Sequence, residues 1–253
     1  MALLNWIVIP CYNEAGRLED ADITALLSAP SVNVVLVDDG STDTTLARCE
    51  TFKSNHGNRV EILSMPENVG KAEAVRRGMK HAVSLGADIT GYTDADFATR
   101  PAEMLRLVRE IETDEATQVL LGSRWLHMGA NIQRSAFRHY TGRVFATFAS
   151  LILRMPVYDT QCGAKLFRVT ETLTAAIADP FLSRWAFDVE LIGRLREGVH
   201  DAPGYELSAF VEMPLSTWID VRGSKIGVFA MIGATMDLLA IARELARLRR
   251  VRS

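Results

Sequence analysis

Acidic side chains follow three of the predicted strands, at the point where each strand ends. The run Pro10-Cys11-Tyr12-Asn13-Glu14 closes the first strand, Asp38-Asp39-Gly40-Ser41 the second, and Asp94-Ala95-Asp96 the fourth. Because the carboxyl ends of parallel strands meet at one edge of a sheet, we expect these acids to lie close together. Chemistry is therefore predicted at this edge.

Two of these acids have the spacing of a metal site. Asp94 and Asp96 stand two residues apart where a strand ends, so both side chains can point the same way. A divalent cation would remove their mutual repulsion. Carboxylate oxygens suit Mg²⁺ or Mn²⁺, which typically take one or two carboxylates together with substrate phosphate oxygens. The alternative is that one aspartate caps the helix that begins at Pro101 and the other is solvated.

Other residues near the same edge have the chemistry to contact a phosphorylated ligand. Asp39 either accepts hydrogen bonds from a nucleotide base or ribose, or belongs to a simple capped turn. Arg124, Arg138 and Arg143 follow the acidic segments, and arginine forks match phosphate geometry, although for any one of them alone a solvated helix charge is the better explanation. Gly70-Lys71 lacks the earlier glycine of a phosphate loop, which excludes a P-loop NTPase.

The elements that carry these residues follow from hydrophobic periodicity. Short apolar runs alternate with amphipathic stretches up to Arg124, where the alternation stops, and this pattern predicts an α/β fold with a mostly parallel sheet. The predicted strands are residues 3–9, 32–37, 60–63, 89–92 and 119–121. The predicted helices are 18–27, 44–53, 72–85, 101–111, 136–153 and 187–196, with a further helical pattern from Ile226.

Composition limits the classes of function. The chain has 253 residues, of which 48% are hydrophobic, so it is long enough for a large core and is not a disordered protein. Its formal net charge of −3 gives no basic field for binding nucleic acid. Cys11, Cys49 and Cys162 lack metal-ligand spacing, so we expect free thiols in a reducing compartment. We expect neither a signal peptide nor a membrane span, and hence a soluble or peripheral protein.

Several segments, in their order and spacing, make the chain resemble a known family. They are IVIPCYNEAGRL, VLVDDGSTDTT, ENVGKAEAVRRGM, TDADF and GSRW. The set is similar to the family-two glycosyltransferases, inverting enzymes with the GT-A nucleotide-sugar fold, in which helices cover both faces of a mostly parallel central sheet. The later segments DTQCGAKLF, RWAFDVEL and GSK resemble the polyprenyl-phosphate sugar synthases, and the dolichyl-phosphate β-glucosyltransferases more than the mannosyl enzymes.

The resemblance implies roles for individual residues. It places the nucleotide sugar against Pro10, Tyr12, Glu14, Val37, Asp39, Lys71, Asp94 and Ala95, and a Mg²⁺ or Mn²⁺ ion on Asp94 and Asp96. It implies phosphate contacts, to the acceptor lipid or the donor, at Arg124, Arg138, Arg143 and Lys225. Asp188 is the candidate for a base or for orienting the sugar, and completes a catalytic set with Asp96 and Arg124. Ala98 stands where some mannosyl relatives help to ligate the metal, so the ion would depend on two aspartates, diphosphate and water.

The expected reaction is transfer of a hexose, glucose from UDP-glucose, to a polyprenyl phosphate with inversion at the anomeric carbon. The ionised acceptor phosphate is itself the nucleophile, so the protein must position it and neutralise charge on the leaving diphosphate. Three alternatives stay open. They are a mannosyltransferase using GDP-mannose, transfer to a glycan hydroxyl with Asp188 as an indispensable base, and a catalytically silent nucleotide-sugar-binding scaffold at a membrane.

The end of the chain is expected to attach the protein to a membrane surface. We expect one catalytic domain over residues 1–225, then an amphipathic helix and basic tail over 226–253. Five arginines and one glutamate between residues 243 and 252 follow an apolar stripe of Val228, Phe229, Ile232, Met236 and Leu239. This arrangement predicts a peripheral protein on the cytoplasmic face of a membrane, with its oligomeric state left open. Alternatively, the stripe packs on the sheet domain and the arginines are solvated.

Overall fold

Strands and helices alternate over the first half of the chain, as the apolar periodicity predicts. The computed structural model describes residues 3–126, 128–133, 136–219 and 228–252, and the side chains of 3–126, 128–132, 142–219 and 236–250. The strands are β1 (Asn5–Cys11), β2 (Val32–Asp38), β3 (Val60–Ser64), β4 (Ile89–Thr93), β5 (Val119–Ser123), β6 (Asn131–Gln133), β7 (Ala164–Arg168), β8 (Phe210–Pro214) and β9 (Thr217–Ile219). The helices are α1 (Asp20–Leu26), α2 (Thr45–His56), α3 (Lys71–Ser84), α4 (Pro101–Thr113), α5 (Ala136–Leu153), α6 (Glu171–Ala176), α7 (Phe187–Glu197) and α8 (Val228–Arg252).

The central sheet has seven strands in the order β3-β2-β1-β4-β7-β5-β8. Its neighbouring strands are parallel except where β7 runs antiparallel between β4 and β5. A second, two-stranded sheet pairs β6 with β9. The predicted α/β fold with a mostly parallel sheet is therefore confirmed.

The strand β7 was not among the predicted elements. Its sequence AKLFR has the fully buried Lys165 in second place, and a charged residue there conceals the apolar run that marks a buried strand. The strand lies so close to β4 that a Cβ at Gly91 would be 2.0 Å from the Lys165 carbonyl oxygen. Glycine at position 91 is thus needed for β7 to enter the sheet. The strands β6, β8 and β9 and the short helix α6 were also not predicted.

Two apolar cores cover the two faces of the sheet. Successive residues of β1 point to opposite faces, so Trp6 and Val8 pack with α3, α5, α7 and α8, whereas Ile7 and Ile9 pack with α1, α2 and α4. Because both faces are covered, the strands read as continuous apolar runs without polar alternation. The expected helices on both faces are confirmed. The three cysteines are buried free thiols.

The helix α8 belongs to the first of these cores. Leu238, Ile241 and Leu245 are buried, and Leu245 Cδ1 would lie 2.4 Å from a Cβ at Gly193 of α7. Two residues of the expected apolar stripe, Met236 and Leu239, are exposed and lie outside this packed side of α8. The side chains of the other stripe residues, Val228, Phe229 and Ile232, lie outside the described part of the chain.

Two arginines of the predicted basic tail form ion pairs, Arg249 with a neighbouring helix and the exposed Arg247 within α8 itself. Arg249 Nε lies 2.7 Å from Glu197 Oε1, and its Nη2 donates to the Ile152 carbonyl at 2.9 Å. Arg247 forms a 2.6 Å ion pair with Glu244. The positive charge of this segment is therefore partly neutralised by the fold. Among the described residues, no helix is long and apolar enough to cross a membrane.

The packing of α8 gives a stability prediction. Leu245→Ala should lower the free energy of unfolding by about 2–5 kcal/mol, because it leaves a cavity beneath Gly193. Leu239→Ala in the same helix removes a half-exposed side chain and is the matched control, with an expected change below about 0.5 kcal/mol. Urea denaturation of both variants measures the difference. Equal losses of stability would contradict the packing described for α8.

Candidate active site

Hydrogen bonds connect the loop that follows β1 to the loop that follows β2. Asn13 has a left-handed backbone, with φ of 55°, and its Oδ1 accepts from the Thr42 N–H at 2.8 Å. The Asn13 N–H donates in turn to Ser41 Oγ at 3.0 Å. Glu14 comes next, with its carboxylate 2.5 Å from Arg17 Nε. The two loops therefore form one wall of the sheet edge where chemistry is predicted.

Four more of the residues assigned to the nucleotide sugar lie at the same edge of the sheet. Pro10 of β1 and Val37 of β2 are direct neighbours in the sheet register. Tyr12 is exposed in the loop after β1, and Ala95 is buried in the loop after β4. The structure thus brings these four residues to one edge, as the resemblance implies.

The Asp39 carboxylate is engaged by the loop that precedes α3. Its Oδ1 accepts from the Val69 N–H at 2.8 Å, and its Oδ2 from the Gly70 N–H at 2.9 Å and from Asn68 Nδ2 at 3.1 Å. Burial raises the pKa of Asp39, and the two backbone hydrogen bonds oppose this rise without cancelling it. Much of the hydrogen-bonding capacity assigned to a base or ribose is therefore used to hold residues 68–70.

Lys71 and Asp94 form an ion pair at the centre of the edge, with Lys71 Nζ 2.5 Å from Asp94 Oδ1. Lys71 is the first residue of α3, and Asp94 directly follows β4. Burial on its own lowers the pKa of Lys71, but the charges of Asp94 and then Asp188 outweigh it, so the pKa is raised overall. Lys71 is thus a stable cation beside the predicted metal ligand.

Asp94 and Asp96 together suit a divalent cation that has other ligands as well. Asp96 Oδ1 accepts from the Ala98 N–H at 3.0 Å, and burial, followed by the charge of Asp94, raises the pKa of Asp96. A Cβ at Gly163 would lie 2.0 Å from Asp94 Oδ2, so glycine is needed to leave this carboxylate in place. No group of three His, Cys, Asp or Glu residues that could hold a metal occurs among the described residues. Two carboxylates fit Mg²⁺ or Mn²⁺ when diphosphate and water supply the remaining oxygens.

Asp188 lies beneath this ion pair in a buried cluster. Its Oδ1 is 2.6 Å from Lys165 Nζ and accepts a hydrogen bond from the Tyr92 hydroxyl. Burial, followed by the charge of Asp188, raises the pKa of Tyr92 well above its ordinary value. These contacts favour an orienting role for Asp188 over that of a base that exchanges protons with substrate. Neither Lys165 nor Tyr92 was predicted as a site residue, although a lysine inside an apolar segment is itself a signal of a buried charge.

Arg124 forms a bidentate ion pair with Asp159. Arg124 Nε and Nη2 lie 2.7 and 2.8 Å from the two Asp159 oxygens. Burial on its own raises the pKa of Asp159, but the Arg124 charge outweighs it and holds that pKa well below its ordinary range. Glu212 accepts from the N–H groups of Tyr158 and Asp159 at 2.7 and 2.6 Å. Arg124 therefore mainly fixes the loop after α5, and only its remaining donors can reach a phosphate.

Arg143 lines the same pocket as Arg124, and its Cζ stacks 3.9 Å from the centre of the Tyr158 ring. The two other cations assigned to phosphate are not placed by the described side chains. Arg138 is on α5, but its side chain lies outside the described part, and Lys225 lies wholly outside it. The geometry thus brings two of the four predicted phosphate cations to one pocket.

Comparison with known proteins decides the family. A family model described as "Glycosyl transferase family 2" matches residues 6–170. The chain belongs to glycosyl transferase family 2. It is 31% identical to a dolichyl-phosphate beta-glucosyltransferase of Saccharomyces cerevisiae, over 96% of this chain and 73% of that relative. The identity to the protein of the same name from Drosophila melanogaster is also 31%, over 88% of this chain and 69% of the relative.

Solved structures agree with this assignment at the level of the fold. The family 2 chain superposes on glucosyl-3-phosphoglycerate synthase from Mycobacterium tuberculosis, in complex with Mn²⁺, UDP-glucose and phosphoglyceric acid, with a TM-score of 0.70. That match covers 95% of this chain and 80% of the neighbour at 19% identity. The GT-A glycosyltransferase fold expected from the sequence is thereby confirmed.

The aspartate pair of this family 2 chain gives a prediction about metal binding. Asp96→Asn should weaken Mn²⁺ binding in the presence of UDP at least tenfold, because one of two protein ligands loses its charge. Titration calorimetry measures the Mn²⁺ affinity, and circular dichroism checks the fold. Asp201→Asn, an exposed carboxylate away from the edge, is the control. A folded Asp96→Asn variant with the parent's Mn²⁺ affinity would rule out this metal site.

Proposed function

We propose that the protein transfers glucose from UDP-glucose to a polyprenyl phosphate, with inversion at the anomeric carbon. The observation that carries the proposal is the similarity to dolichyl-phosphate beta-glucosyltransferases, which extends over 96% of the chain in the Saccharomyces cerevisiae relative. The site supports it with a pair of carboxylates, a neighbouring lysine and a pocket lined by two arginines. These are the groups needed to hold a nucleoside diphosphate at one end and a phosphate at the other.

The donor would occupy the edge of the sheet between the β1 and α3 loops. Asp94 and Asp96 would hold Mg²⁺ or Mn²⁺, and the ion would neutralise charge that develops on the leaving UDP. Lys71 lies 2.5 Å from Asp94, so it places a second positive charge at the same end of the site. Asp39 keeps residues 68–70 in position against the nucleotide half of this edge.

The acceptor phosphate would lie toward Arg143, with Arg138 and Lys225 as further contacts. A phosphate monoester is largely ionised at neutral pH, so one of its oxygens attacks the anomeric carbon without a general base. The new phosphate-to-carbon bond forms as the bond from that carbon to UDP breaks. The protein's contribution is alignment of the two substrates, which the Arg124 and Asp159 ion pair supports by fixing the intervening loop.

The donor preference gives a direct test of this proposal. With Mg²⁺ and farnesyl phosphate, the purified protein should form a hexosyl lipid from UDP-glucose at least tenfold faster than from GDP-mannose. Mass spectrometry identifies the product, and Asp96→Ala should form none while remaining folded. Faster transfer from GDP-mannose would favour the mannosyl alternative. Binding of UDP without turnover of any donor would favour the silent scaffold.

We also propose that exposed apolar side chains bring the site to a membrane surface. Val144, Phe148 and Leu151 lie on one side of α5 and are 59%, 55% and 69% exposed. Met236 and Leu239 are likewise exposed on α8, which packs against α5. We name the three α5 residues, Val144, Phe148 and Leu151, the apolar face. Such a face, on a protein whose acceptor is a lipid, suits the interfacial layer of a bilayer.

The apolar face is testable without removing the core residues of α8. The double variant Phe148→Ser and Leu151→Ser should reduce flotation with phosphatidylcholine and phosphatidylglycerol liposomes at least fivefold, since each change removes an exposed anchor. Leu207→Ser, which alters an exposed leucine elsewhere, is the control and should bind as the parent does. Undiminished flotation of the double variant would show that attachment lies elsewhere.

A further inference from the structure

Three polar side-chain atoms in one pocket have no hydrogen-bond partner within the part of the chain that the structure describes. They are Arg143 Nη1, Thr160 Oγ1 and Gln161 Nε2, and all three residues line the pocket beside α5. Thr160 is only 1% exposed. Buried donors without partners are costly and therefore rare in native proteins. Each of these groups can donate a hydrogen bond, which is what an anion rich in acceptor oxygens needs from a binding pocket.

The loop itself does not need these side chains for its shape. The N–H groups of Tyr158 and Asp159 donate to Glu212, and the Asp159 carboxylate binds Arg124. The Gln161 N–H donates to Asp159 Oδ1 at 3.1 Å. Backbone N–H groups and one ion pair thus hold the loop, and neither the Thr160 hydroxyl nor the Gln161 amide nitrogen has a partner among the described residues.

The pocket lies between the predicted metal site and an apolar groove. On one side, the same loop reaches Gly163, which packs against the Asp94 carboxylate. On the other side, the pocket shares Arg143 and Ala146 with a groove along α5 that is lined also by Thr147, Ser150, Leu151 and Val157. Leu151 belongs both to this groove and to the apolar face. The pocket with Arg143 would therefore face the phosphate of a lipid phosphate, and the adjoining groove would face its hydrocarbon chain.

We infer that Thr160 and Gln161 bind the phosphate of the acceptor together with Arg143, and that the adjoining groove receives the first units of its hydrocarbon chain. This inference rests on the proposed function and adds two neutral donors to the cations already assigned to phosphate. The hydroxyl of Thr160 and the amide of Gln161 orient the phosphate oxygens, while Arg143 supplies the charge.

Two isosteric variants test the inference. Thr160→Val and Gln161→Met should each raise the KM for farnesyl phosphate about five- to tenfold and leave the KM for UDP-glucose within twofold, since each removes one phosphate hydrogen bond. Thr160→Val should not lower the Tm, because it removes a buried hydroxyl that has no protein partner. A merely structural threonine would show the reverse pattern, with a lower Tm and an unchanged KM.

Matched controls replace the same residue types away from the pocket. Thr174→Val lies on the exposed side of α6, and Gln118→Met lies at the opposite end of β5 from Arg124. Both should keep the parent's KM for farnesyl phosphate and for UDP-glucose. Unchanged lipid KM values in folded Thr160→Val and Gln161→Met variants, with a parent that makes the lipid product, would overturn the inference and leave the proposed function standing.

Direct binding separates the inference from the proposed reaction. Titration calorimetry without nucleotide should show that farnesyl phosphate binds both variants more weakly than it binds the parent. Farnesol, which lacks the phosphate, should not bind in the pocket of the parent. Inorganic phosphate should follow the same order at lower affinity, whereas tighter binding of inorganic phosphate would point to a free phosphate in place of a lipid headgroup. If the parent makes no lipid product but the variants bind phosphate more weakly, the proposed function fails and the phosphate pocket stands. Equal phosphate affinity in parent and variants overturns the pocket.

Discussion

The carboxylates in and around the candidate site are tolerated because cations from other parts of the chain neutralise them. Asp94 after β4 pairs with Lys71, Asp188 on α7 with Lys165, and Asp159 in the loop after α5 with Arg124. Removing one partner of a buried pair costs about 3–5 kcal/mol because the other charge is left uncompensated. Loss of activity on substitution of Asp188 therefore requires a stability measurement before it is interpreted as chemistry.

The parallel part of the fold could be predicted because its signal is local. Apolar runs and amphipathic stretches locate β1 to β5 to within two residues at each end, and the acids that follow them mark the site. The strand β7 could not be predicted in this way, because the buried Lys165 is tolerated there through Asp188 and the Cys162 carbonyl, and Gly91 of β4 leaves the space. The buried side of α8 is likewise set by contact between Leu245 and Gly193, which periodicity alone does not reveal.

In the candidate site, the sequence predicts where a residue lies better than it predicts what the residue contacts. The motifs place Asp39 and Arg124 at the carboxyl edge of the sheet. They do not show that Asp39 accepts hydrogen bonds from the backbone of residues 69 and 70 or that Arg124 forms an ion pair with Asp159. Such partners come from distant parts of the chain, and a motif carries no information about which polar groups the fold itself consumes. Thr160 and Gln161 illustrate the converse, since their importance emerges only from the absence of a partner within the described residues.

One short loop links the two halves of the proposed reaction. At its end, Gly163 is in close approach to the Asp94 carboxylate, and at its middle, Thr160 and Gln161 line the pocket that contains Arg143. Glu212 and Arg124 hold the start of the loop, and its end continues into β7, so both ends are fixed to the same sheet. The spacing between the proposed metal site and the proposed phosphate pocket is then set by about five residues of one loop. We therefore expect substitutions at 160 and 161 to alter the proposed phosphate pocket while Gly163 keeps its close approach to the Asp94 carboxylate.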